Sequence, residues 1–349
     1  MLDKNKVVLG LSGGVDSATA ALILREQGYE LYGFCFDVKG DGKELEDAQK
    51  TADELGIELI TADVSAEFDA KIINNFCSEY LKARTPNPCI ICNPNIKFKQ
   101  LMEAADKIGA YYIATGHYAR IFKDDLSLKC YIRQGANMAK DQSYMLYRLP
   151  EEYIQRIIFP LGDLDDKNKV RALAEANNLS NAMKKDSQEI CFIDDDSNYI
   201  EFLESRGLTT AKGNFVDKDG NVLGEHKGIS NYTIGQRKGL GISLGKPAFV
   251  CQIKPDTNEV VLGDNEDLFK GTISASDCVF SCGKGEDYLG KALKAKLRYA
   301  QKPENCRIIS SEDDSITVEF DSPQRAVTPG QSLVLYQDDV LIGGGFING

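Results

Sequence analysis

Two kinds of segment alternate through the first 120 residues of the chain. Short apolar runs predict buried strands, and longer segments with helical spacing, several of which stop at a glycine, predict helices. The strands are predicted at residues 7–11, 30–36, 57–61 and 110–114, and the helices at 17–27, 44–55, 66–82 and 96–108. Alternation of this kind predicts a parallel sheet that is covered by helices.

After about residue 200 the pattern changes to short β-type runs separated by glycine-containing turns. Clear examples lie at residues 249–253, 259–262, 316–320 and 332–336. This part of the chain therefore predicts one or two small β-rich modules.

Between these two regions of regular pattern lies a segment that is rich in proline. Residues 84–96 contain Pro86, Pro88 and Pro94. Proline has no backbone N–H and is poorly tolerated inside regular elements. We therefore predict a stiff, irregular loop here, of the kind that can hold reactive side chains beside a sheet.

Acidic residues outnumber basic ones, but the charge is unevenly distributed. The formal net charge is −12, which excludes a protein that binds nucleic acid through its overall charge. Residues 81–107 nevertheless carry five basic and two acidic side chains, and residues 284–307 carry seven basic and three acidic ones. No run of ~18 apolar residues predicts a membrane span, and the first apolar run is too short for a signal peptide. We therefore expect a cytoplasmic protein with local basic surfaces.

The chain has 10 cysteines, and permanent disulfides are rare in a reducing compartment. Most of these cysteines are therefore expected to be small buried side chains. This expectation applies to Cys35, Cys77, Cys130, Cys251, Cys278, Cys282 and Cys306. The other three, Cys89, Cys92 and Cys191, lie in sequence motifs.

The sharpest motif is GLSGGVDS at residues 10–17, between the first predicted strand and the first predicted helix. Small residues let backbone N–H groups approach a phosphate closely, and the N-terminus of a helix favours an anion. The Gly-Lys-Ser/Thr ending of a kinase or GTPase P-loop is missing. The motif instead resembles the PP-loop of ATP pyrophosphatases, which cleave ATP between the α and β phosphates.

Seven further motifs follow the PP-loop in order. They are RTPNPCIICNPNIKF at 84–98, ATGHYAR at 114–120, KDQSYML at 140–146, KDSQEICFI at 185–193, TIGQRKGLGI at 233–242, LRYAQ at 297–301 and PQRAVTPGQ at 323–331. The ordered set resembles the bacterial tRNA-specific 2-thiouridylases over nearly the whole chain. This resemblance implies an adenine nucleotide α-hydrolase-like catalytic domain at 1–200, a β-rich central domain at 201–267 and a tRNA-binding C-terminal β-barrel at 268–349.

The resemblance also implies an enzymatic reaction, that of a tRNA-uridine 2-sulfurtransferase. With ATP and Mg²⁺, the C2 oxygen of the wobble uridine (position 34 of tRNA) is adenylated and then replaced by sulfur, releasing AMP and diphosphate. The order is chemically reasonable, because a urea-like carbonyl is a poor electrophile until its oxygen is activated, and the attacking sulfur must be thiolate-like. The implied partners are tRNAs with Lys, Glu and Gln anticodons and a sulfur donor such as a cysteine desulfurase or a sulfur relay protein, with no membrane.

Matching of motifs assigns individual residues to roles in this reaction. Cys92 would carry a persulfide, and Cys191 would release the sulfur by forming a transient disulfide with Cys92. The ATP site would comprise Gly10, Leu11, Ser12, Gly13, Gly14, Val15, Asp16, Ser17, Phe36 and Gly116. The positions that match tRNA contacts are His117, Lys140, Asp141, Gln142, Arg298, Tyr299 and Gln331. Asn87, Pro88 and Cys89 match the loop that meets the target base, which must be flipped out of the stack to react.

The chain departs from the common family pattern at Cys89, where many members have aspartate. Thiolates from Cys89, Cys92 and Cys191 would together be able to hold a [4Fe–4S] cluster with one iron open to sulfide. Alternatively, Cys89 would resolve a persulfide or disulfide on Cys92. Cys-x-x-Cys is also half of a zinc site, but no second half accompanies it. A second departure is Glu189, where the family often has glycine.

Two other classes of protein explain part of the sequence. A PP-loop ligase that adenylates a small metabolite and then adds ammonia would account for the first 120 residues, but not for Cys92, Cys191 or the β modules. A non-catalytic iron–sulfur or RNA-binding protein would account for the cysteines or the basic segments, but not for the phosphate loop.

Overall fold

The structure is a computed structural model that describes residues 2–184, 190–194 and 196–349. The chain divides into two compact units. The first comprises Met1–Ile72, Cys89–Gln188 and Asp339–Ile342, and the second comprises Ile73–Pro88, Glu189–Asp338 and Gly343–Gly349. No helix among the described residues is long and apolar enough to cross a membrane.

The first unit is built around a five-stranded parallel sheet and an antiparallel hairpin. The strands are β1 (Asp3–Gly10), β2 (Glu30–Asp37), β3 (Glu58–Asp63), β4 (Ala110–Ala114), β5 (Ala119–Lys123), β6 (Cys130–Gln134) and β7 (Ile157–Ile158). The sheet order is β3-β2-β1-β4-β7, and β5 pairs with β6. In the central strand β1, Val7, Val8 and Leu9 are fully buried, as expected where both faces of a parallel sheet are covered. This confirms the predicted parallel sheet.

The helices of the described residues are α1 (Val15–Glu26), α2 (Lys43–Leu55), α3 (Ser65–Phe68), α4 (Asn74–Leu81), α5 (Pro88–Cys92), α6 (Phe98–Ile108), α7 (Glu151–Ile154), α8 (Lys167–Ala176) and α9 (Tyr199–Ser205). Two π-helical segments, Asp69–Ile73 and Asn93–Lys97, lie between α3 and α4 and between α5 and α6. Helices α2 and α6 stop where Gly56 and Gly109 adopt a left-handed conformation, which glycine adopts at little cost. The segment predicted at 66–82 is helical, but a π turn interrupts it.

The prediction of an irregular loop at residues 84–96 is confirmed for 84–87 and was wrong for 88–96. Pro88 is the first residue of α5, and helix Pro88–Cys92 continues into the π segment Asn93–Lys97. Proline is tolerated in the first turn of a helix, where its missing N–H would have no partner. Cys89 and Cys92 therefore lie one turn apart on a helix and not on a loop.

The second unit contains the β-rich modules. Its strands are β8 (Gly213–Val216), β9 (Val222–His226), β10 (Phe249–Lys254), β11 (Glu259–Gly263), β12 (Phe269–Phe280), β13 (Leu293–Lys296), β14 (Glu304–Glu312), β15 (Ser315–Arg325), β16 (Ser332–Gln337) and β17 (Val340–Ile347), of which β17 begins in the first unit. Four of them form a sheet in the order β10-β11-β8-β9. The next six follow the order β12-β15-β14-β13-β16-β17, and pairing of β12 with β17 closes them into an antiparallel barrel. The expected β-rich architecture and C-terminal barrel are thus confirmed.

The expectation that seven cysteines are small buried side chains was only partly correct. Cys35, Cys77 and Cys306 are buried, and Cys130, Cys251 and Cys278 are partly buried. Cys282 is exposed, because it follows the end of β12 in a polar turn.

Candidate active site

The PP-loop joins the carboxyl end of β1 to the N-terminus of α1. Gly14 is the N-cap of this 12-residue helix, and no described side chain caps that end. The Ser17 hydroxyl accepts a hydrogen bond from the Ser12 N–H at 3.2 Å and donates one to the Gly14 carbonyl at 3.0 Å, which fixes the curvature of the loop. Uncapped N–H groups and the helix dipole make this end of α1 suitable for phosphate.

Two glycines let other chain segments pack directly against the PP-loop. Gly13 has φ +71°, and a Cβ there would lie 2.6–2.8 Å from atoms of Asp47, including its backbone. A Cβ on Gly116 would lie 3.0 Å from the carbonyl carbon of Asp16. The Asn181 amide donates to the Gly13 carbonyl at 3.1 Å. The motif thus needs glycine for close approach as well as for backbone conformation.

Lys167 and Tyr118 bind Asp16 of the PP-loop, and the sequence motifs singled out neither residue for a role. The Lys167 ammonium lies 2.6 Å from Asp16 Oδ1, and the Tyr118 hydroxyl donates to the same oxygen at 2.7 Å. The Lys167 side chain is only 14% exposed, and its ammonium lies over the Tyr118 ring, 5.6 Å from the centroid. A buried cation beside a phosphate loop offsets the repulsion between Asp16 and an incoming triphosphate.

Replacing Lys167 by methionine is expected to raise the KM for ATP about tenfold, because one charge-assisted contact near the phosphates is lost. The measurement is AMP formation at varied ATP with saturating tRNA. Lys169→Met is the matched control. It lies on the same helix and pairs with Asp165 at 2.6 Å with both side chains exposed, where an ion pair contributes little. Lys167→Arg should stay near the wild-type KM, and a wild-type KM in Lys167→Met would show that the pair is only structural.

The two neighbouring cysteines lie where α5 passes into a π turn. Pro94 has no N–H to continue the α-helical pattern, and the Phe98 N–H bonds the Asn93 carbonyl five residues back. The Asn95 amide donates to the Ile91 carbonyl at 2.9 Å, which satisfies an acceptor near this irregular turn. The buried Asn93 donates to the Met145 carbonyl at 2.9 Å. These side-chain bonds hold the turn that follows Cys92.

Cys92 is buried and Cys89 is exposed. Burial raises the pKa of the Cys92 thiol to about 11, while the positive charge of Lys97 acts in the opposite direction. The protein atoms around Cys89 raise its pKa as well, although the side chain reaches solvent. At neutral pH the Cys92 sulfur is therefore a protonated thiol.

The rate of Cys92 alkylation by iodoacetamide is expected to rise about tenfold per pH unit between pH 7 and 10. The thiolate is the reactive form, and its fraction grows in this way at any pH well below a pKa of about 11. Mass spectrometry of the peptide that contains Cys92 measures the rate. The same peptide in denaturant should level off near the ordinary thiol pKa of about 8.5. A plateau near pH 8.5 in the folded protein would contradict the expectation.

Two of the positions that the resemblance assigns to tRNA contacts, His117 and Asp141, are buried. His117 is 9% exposed, stacks on Phe98 at 5.8 Å and bonds the Thr115 hydroxyl through Nδ1 at 2.7 Å. Burial lowers the pKa of His117 well below its usual value, so the imidazole is neutral. Asp141 accepts bonds from the N–H groups of Gly135 and Ser143, both at 3.1 Å. These contacts shape the backbone beside the PP-loop partner Tyr118.

The next residue of the KDQ motif also bonds this segment. Gln142 Oε1 accepts from the Tyr118 N–H at 2.9 Å, and the Gln142 N–H donates to the Tyr118 carbonyl at 2.9 Å. Gln142 therefore holds Tyr118, which in turn bonds Asp16, while Lys140 is partly exposed on the preceding turn.

Cys191 lies outside regular secondary structure, and its side chain is exposed. The next residue, Phe192, is buried and packs edge-on against Phe76 at 5.2 Å, with Phe202 at 5.3 Å. An aromatic anchor thus fixes the chain beside an accessible thiol. Residues 185–189 of the same motif, including Glu189, lie outside the described residues. Within residues 2–184, 190–194 and 196–349, no three His, Cys, Asp or Glu side chains are grouped so as to hold a metal ion.

The remaining positions matched to RNA contacts lie mainly in the second unit. Arg298 is exposed, and Tyr299 and Gln331 are partly exposed. The Gln331 amide donates to the Thr85 carbonyl at 2.8 Å. Asn87 is partly exposed directly before α5. Arg298 and Gln331 line one cavity together.

Comparison with known proteins covers almost the whole chain. Residues 5–195 match the model of the tRNA methyl transferase HUP domain, residues 200–264 that of the tRNA methyl transferase PRC-barrel domain, and residues 270–347 that of the aminomethyltransferase beta-barrel domain. The chain is 46% identical to tRNA-specific 2-thiouridylase MnmA 1 of Caldanaerobacter subterraneus subsp. tengcongensis, with 98% of each protein covered. It is 44% identical to the MnmA of Acetivibrio thermocellus, covering 99% of this chain and 100% of that protein. The identity to the MnmA of Clostridioides difficile is 42%, with 99% of each covered.

Proposed function

Since the chain belongs to the family of tRNA-specific 2-thiouridylases, we propose that it replaces the C2 oxygen of the wobble uridine of tRNA by sulfur, using ATP. The observation that carries the proposal is the PP-loop at a helix N-terminus that no described side chain caps, in a chain that also presents Cys92 and an exposed Cys191. A ligase for a small metabolite needs the loop but has no use for these thiols.

In the first proposed step the C2 oxygen of the uridine attacks the α-phosphorus of ATP. A C2–O–P bond forms, the bond to the β-phosphate breaks, and diphosphate leaves. The N–H groups at the start of α1 would hold the phosphates, with Lys167 nearby. Mg²⁺ prefers carboxylate oxygens, and Asp16 offers one beside this helix end. The ion would neutralise phosphate charge when it is bound.

In the second proposed step the terminal sulfur of a Cys92 persulfide attacks C2. The C2–S bond forms, the C2–O bond breaks, and AMP leaves with the former C2 oxygen. The Cys191 thiolate then attacks the Cys92 sulfur, forming a Cys92–Cys191 disulfide and releasing the 2-thiouridine. A thiol reductant must reduce this disulfide before the next turnover.

The iron–sulfur alternative requires three thiolates around one cluster. The described residues do not form such a donor group, so we derive the sulfur transfer through the persulfide and no step through a cluster. In this reaction Cys89 would act as a second thiol on the same helix, able to exchange with sulfur on Cys92.

The proposal extends to domains and partners. Residues 1–200 would form the catalytic domain, and the central and C-terminal domains (201–267 and 268–349) would guide tRNAs with Lys, Glu and Gln anticodons. A cysteine desulfurase or a sulfur relay protein would load Cys92. Apart from Arg307, which pairs with Asp321, the basic residues of 284–307 favour contact with an RNA backbone.

The experiment that tests the proposal combines the protein with ATP, Mg²⁺, unmodified tRNA, cysteine and a cysteine desulfurase. We expect 2-thiouridine in the digested tRNA, with one AMP released per thiolated uridine. A transcript with cytidine at the wobble position is the control and should give neither product. AMP formation that depends on ammonia and a small metabolite, without 2-thiouridine, would favour the ligase.

Replacing Cys89 by aspartate restores the residue common in the family, and we expect it to retain at least about half of the thiolation activity. A carboxylate cannot exchange sulfur, but the persulfide on Cys92 and the release by Cys191 do not need Cys89. Cys89→Ser is the paired variant, and anaerobic iron analysis accompanies both. The opposite result would be wild-type protein that binds about four irons and variants that both lose iron and activity together. That result would contradict the persulfide mechanism and support the iron–sulfur cluster.

A further inference from the structure

A cavity of about 190 Å³ lies in the second unit. Its exposed surface is mostly apolar, with Ile234, Leu297 and Ala326 in the wall, but two arginines, three threonines and two glutamines also line it, and among the described residues no acidic side chain does. The volume is below the ~300–1,000 Å³ of typical small-molecule sites, but it suffices for a phosphate group. The two guanidinium groups without a neighbouring carboxylate therefore favour a compact anion.

The two arginines of this cavity differ in their ion pairing from a third arginine of the same barrel. Among the described residues, Arg298 and Arg325 have no Asp or Glu within ion-pair distance, whereas Arg307 in the same barrel pairs with Asp321 at 3.2 Å. Two positive charges that line one cavity raise its affinity for an anion.

The structure holds the Arg325 side chain and the backbone turn that carries Arg298. The Arg325 Nε donates to Asn265 Oδ1 at 3.0 Å, and the guanidinium lies over the Phe249 ring, 5.5 Å from the centroid. The turn that carries Arg298 is closed by the Gln301 N–H bonding the Arg298 carbonyl at 3.2 Å, and Gln301 Oε1 accepts from the Leu297 N–H at 3.0 Å. Rigid donors of this kind lose little entropy when they bind an anion.

The cavity wall also contains strained backbone. Ala326 has φ 53°, a left-handed conformation that is unfavourable for a residue with a Cβ. Close packing enforces it, because a Cβ on the neighbouring Gly235 would lie 2.8 Å from the Ala326 Cβ. On the other side, Thr85 is held by bonds from its N–H to the Pro329 carbonyl and from Gln331 to its own carbonyl, both 2.8 Å. Strain that is maintained in this way is common at binding sites.

We propose that this cavity binds one backbone phosphate of the tRNA, held between the guanidinium groups of Arg298 and Arg325. The inference rests on the proposed function for the identity of the RNA, and it adds Arg325 as a binding residue that no sequence motif assigned to the RNA. Planar guanidinium groups bind phosphate oxygens in pairs, and the cavity threonines supply further donors. A backbone phosphate carries no sequence information, so the site positions the tRNA and does not select it.

The test measures binding of unmodified tRNA without ATP at 50 to 300 mM salt. Arg325→Met and Arg298→Met should each weaken tRNA binding about tenfold. Each should also lower the slope of log Kd against log salt concentration by about one, which corresponds to one counterion released. The double variant should lose little more than either single variant, because both side chains hold one phosphate. Arg307→Met, which removes a barrel arginine that already has an acidic partner, is the matched control.

Steady-state kinetics with the same variants separate this site from the chemistry. The KM for tRNA should rise with kcat unchanged at saturating tRNA. A Kd and salt slope equal to those of Arg307→Met would overturn the proposal, as would a fall in kcat at unchanged KM. Because Arg298 is exposed, Arg298→Met keeps the test valid even if Arg325→Met fails to fold.

Two further arms distinguish the source of the phosphate and the failure of the function itself. Wild-type and Arg325→Met proteins are dialysed against labelled AMP and against inorganic phosphate. One outcome is that the wild-type protein binds AMP or phosphate, that Arg325→Met does not, and that the affinity for tRNA is the same in both. This outcome would show a mononucleotide or phosphate site and overturn the proposal. If wild-type protein binds tRNA with the expected slope but forms no 2-thiouridine, the proposed reaction fails and the phosphate site stands.

Discussion

Replacing Cys92 or Cys191 by serine is expected to lower the single-turnover formation of 2-thiouridine, measured without a thiol reductant, by at least about 100-fold while ATP is still cleaved to diphosphate. Serine cannot carry a persulfide or form a disulfide, and removal of a covalent nucleophile commonly costs more than this factor. Adenylation precedes sulfur transfer in the proposed reaction, so the first turnover of ATP does not require either thiol.

The two variants should stop at different chemical stages. Cys92→Ser has no persulfide and should leave only adenylated tRNA. Cys191→Ser should form the C2–S bond and then retain the tRNA on Cys92 through a disulfide linkage. A covalent protein–tRNA band should therefore form with Cys191→Ser in a reaction without reductant, disappear when dithiothreitol is added afterwards, and be absent with Cys92→Ser.

Cys282→Ser is the matched control for an exposed cysteine in the second unit, and it should thiolate tRNA at the wild-type rate. In the absence of reductant, the wild-type protein should give about one 2-thiouridine per loaded enzyme, because the Cys92–Cys191 disulfide must be reduced. Full thiolation by Cys92→Ser would remove the persulfide from the mechanism.

The parallel sheet could be predicted from the sequence because its signals are local. Buried strands such as β1 have uninterrupted apolar runs, and α2 and α6 end at glycines in a left-handed conformation. The error at residues 88–96 has a local cause as well. The three prolines were interpreted as helix breakers, although Pro88 occupies the first position of a helix. The π turn after Cys92 depends on side-chain hydrogen bonds of Asn93 and Asn95, which the hydrophobic periodicity does not reveal.

The candidate site could be predicted only where its residues are adjacent in sequence. The PP-loop is one continuous motif, but Lys167 binds Asp16 from a position 151 residues away. Tyr118 lies within a quoted motif, yet its bond to Asp16 depends on the fold. Arg298 and Arg325 likewise line one cavity only in the folded chain, and their separation in sequence does not predict this.

The PP-loop itself provides the second large expected effect, a loss of ATP affinity of at least about 100-fold in Gly13→Ala. A Cβ at Gly13 would lie 2.6–2.8 Å from the side-chain and backbone atoms of Asp47 in α2, at a φ of +71°. Backbone cannot move aside as a flexible side chain can, so the loop itself must shift. Its N–H groups would then no longer converge on a phosphate, and hydrogen bonds weaken steeply with misalignment.

Gly28→Ala separates this steric effect from backbone strain alone. Gly28 follows α1 with φ +89°, and no atom lies within 4 Å of its added Cβ. Both variants should lose about 1–2 kcal/mol of stability from the left-handed conformation, measured by urea denaturation, but only Gly13→Ala should lose ATP. Calorimetric titration with a non-hydrolysable ATP analogue measures the affinity. Equal, wild-type-like affinity in both variants would mean that contact between Gly13 and Asp47 does not shape the phosphate site.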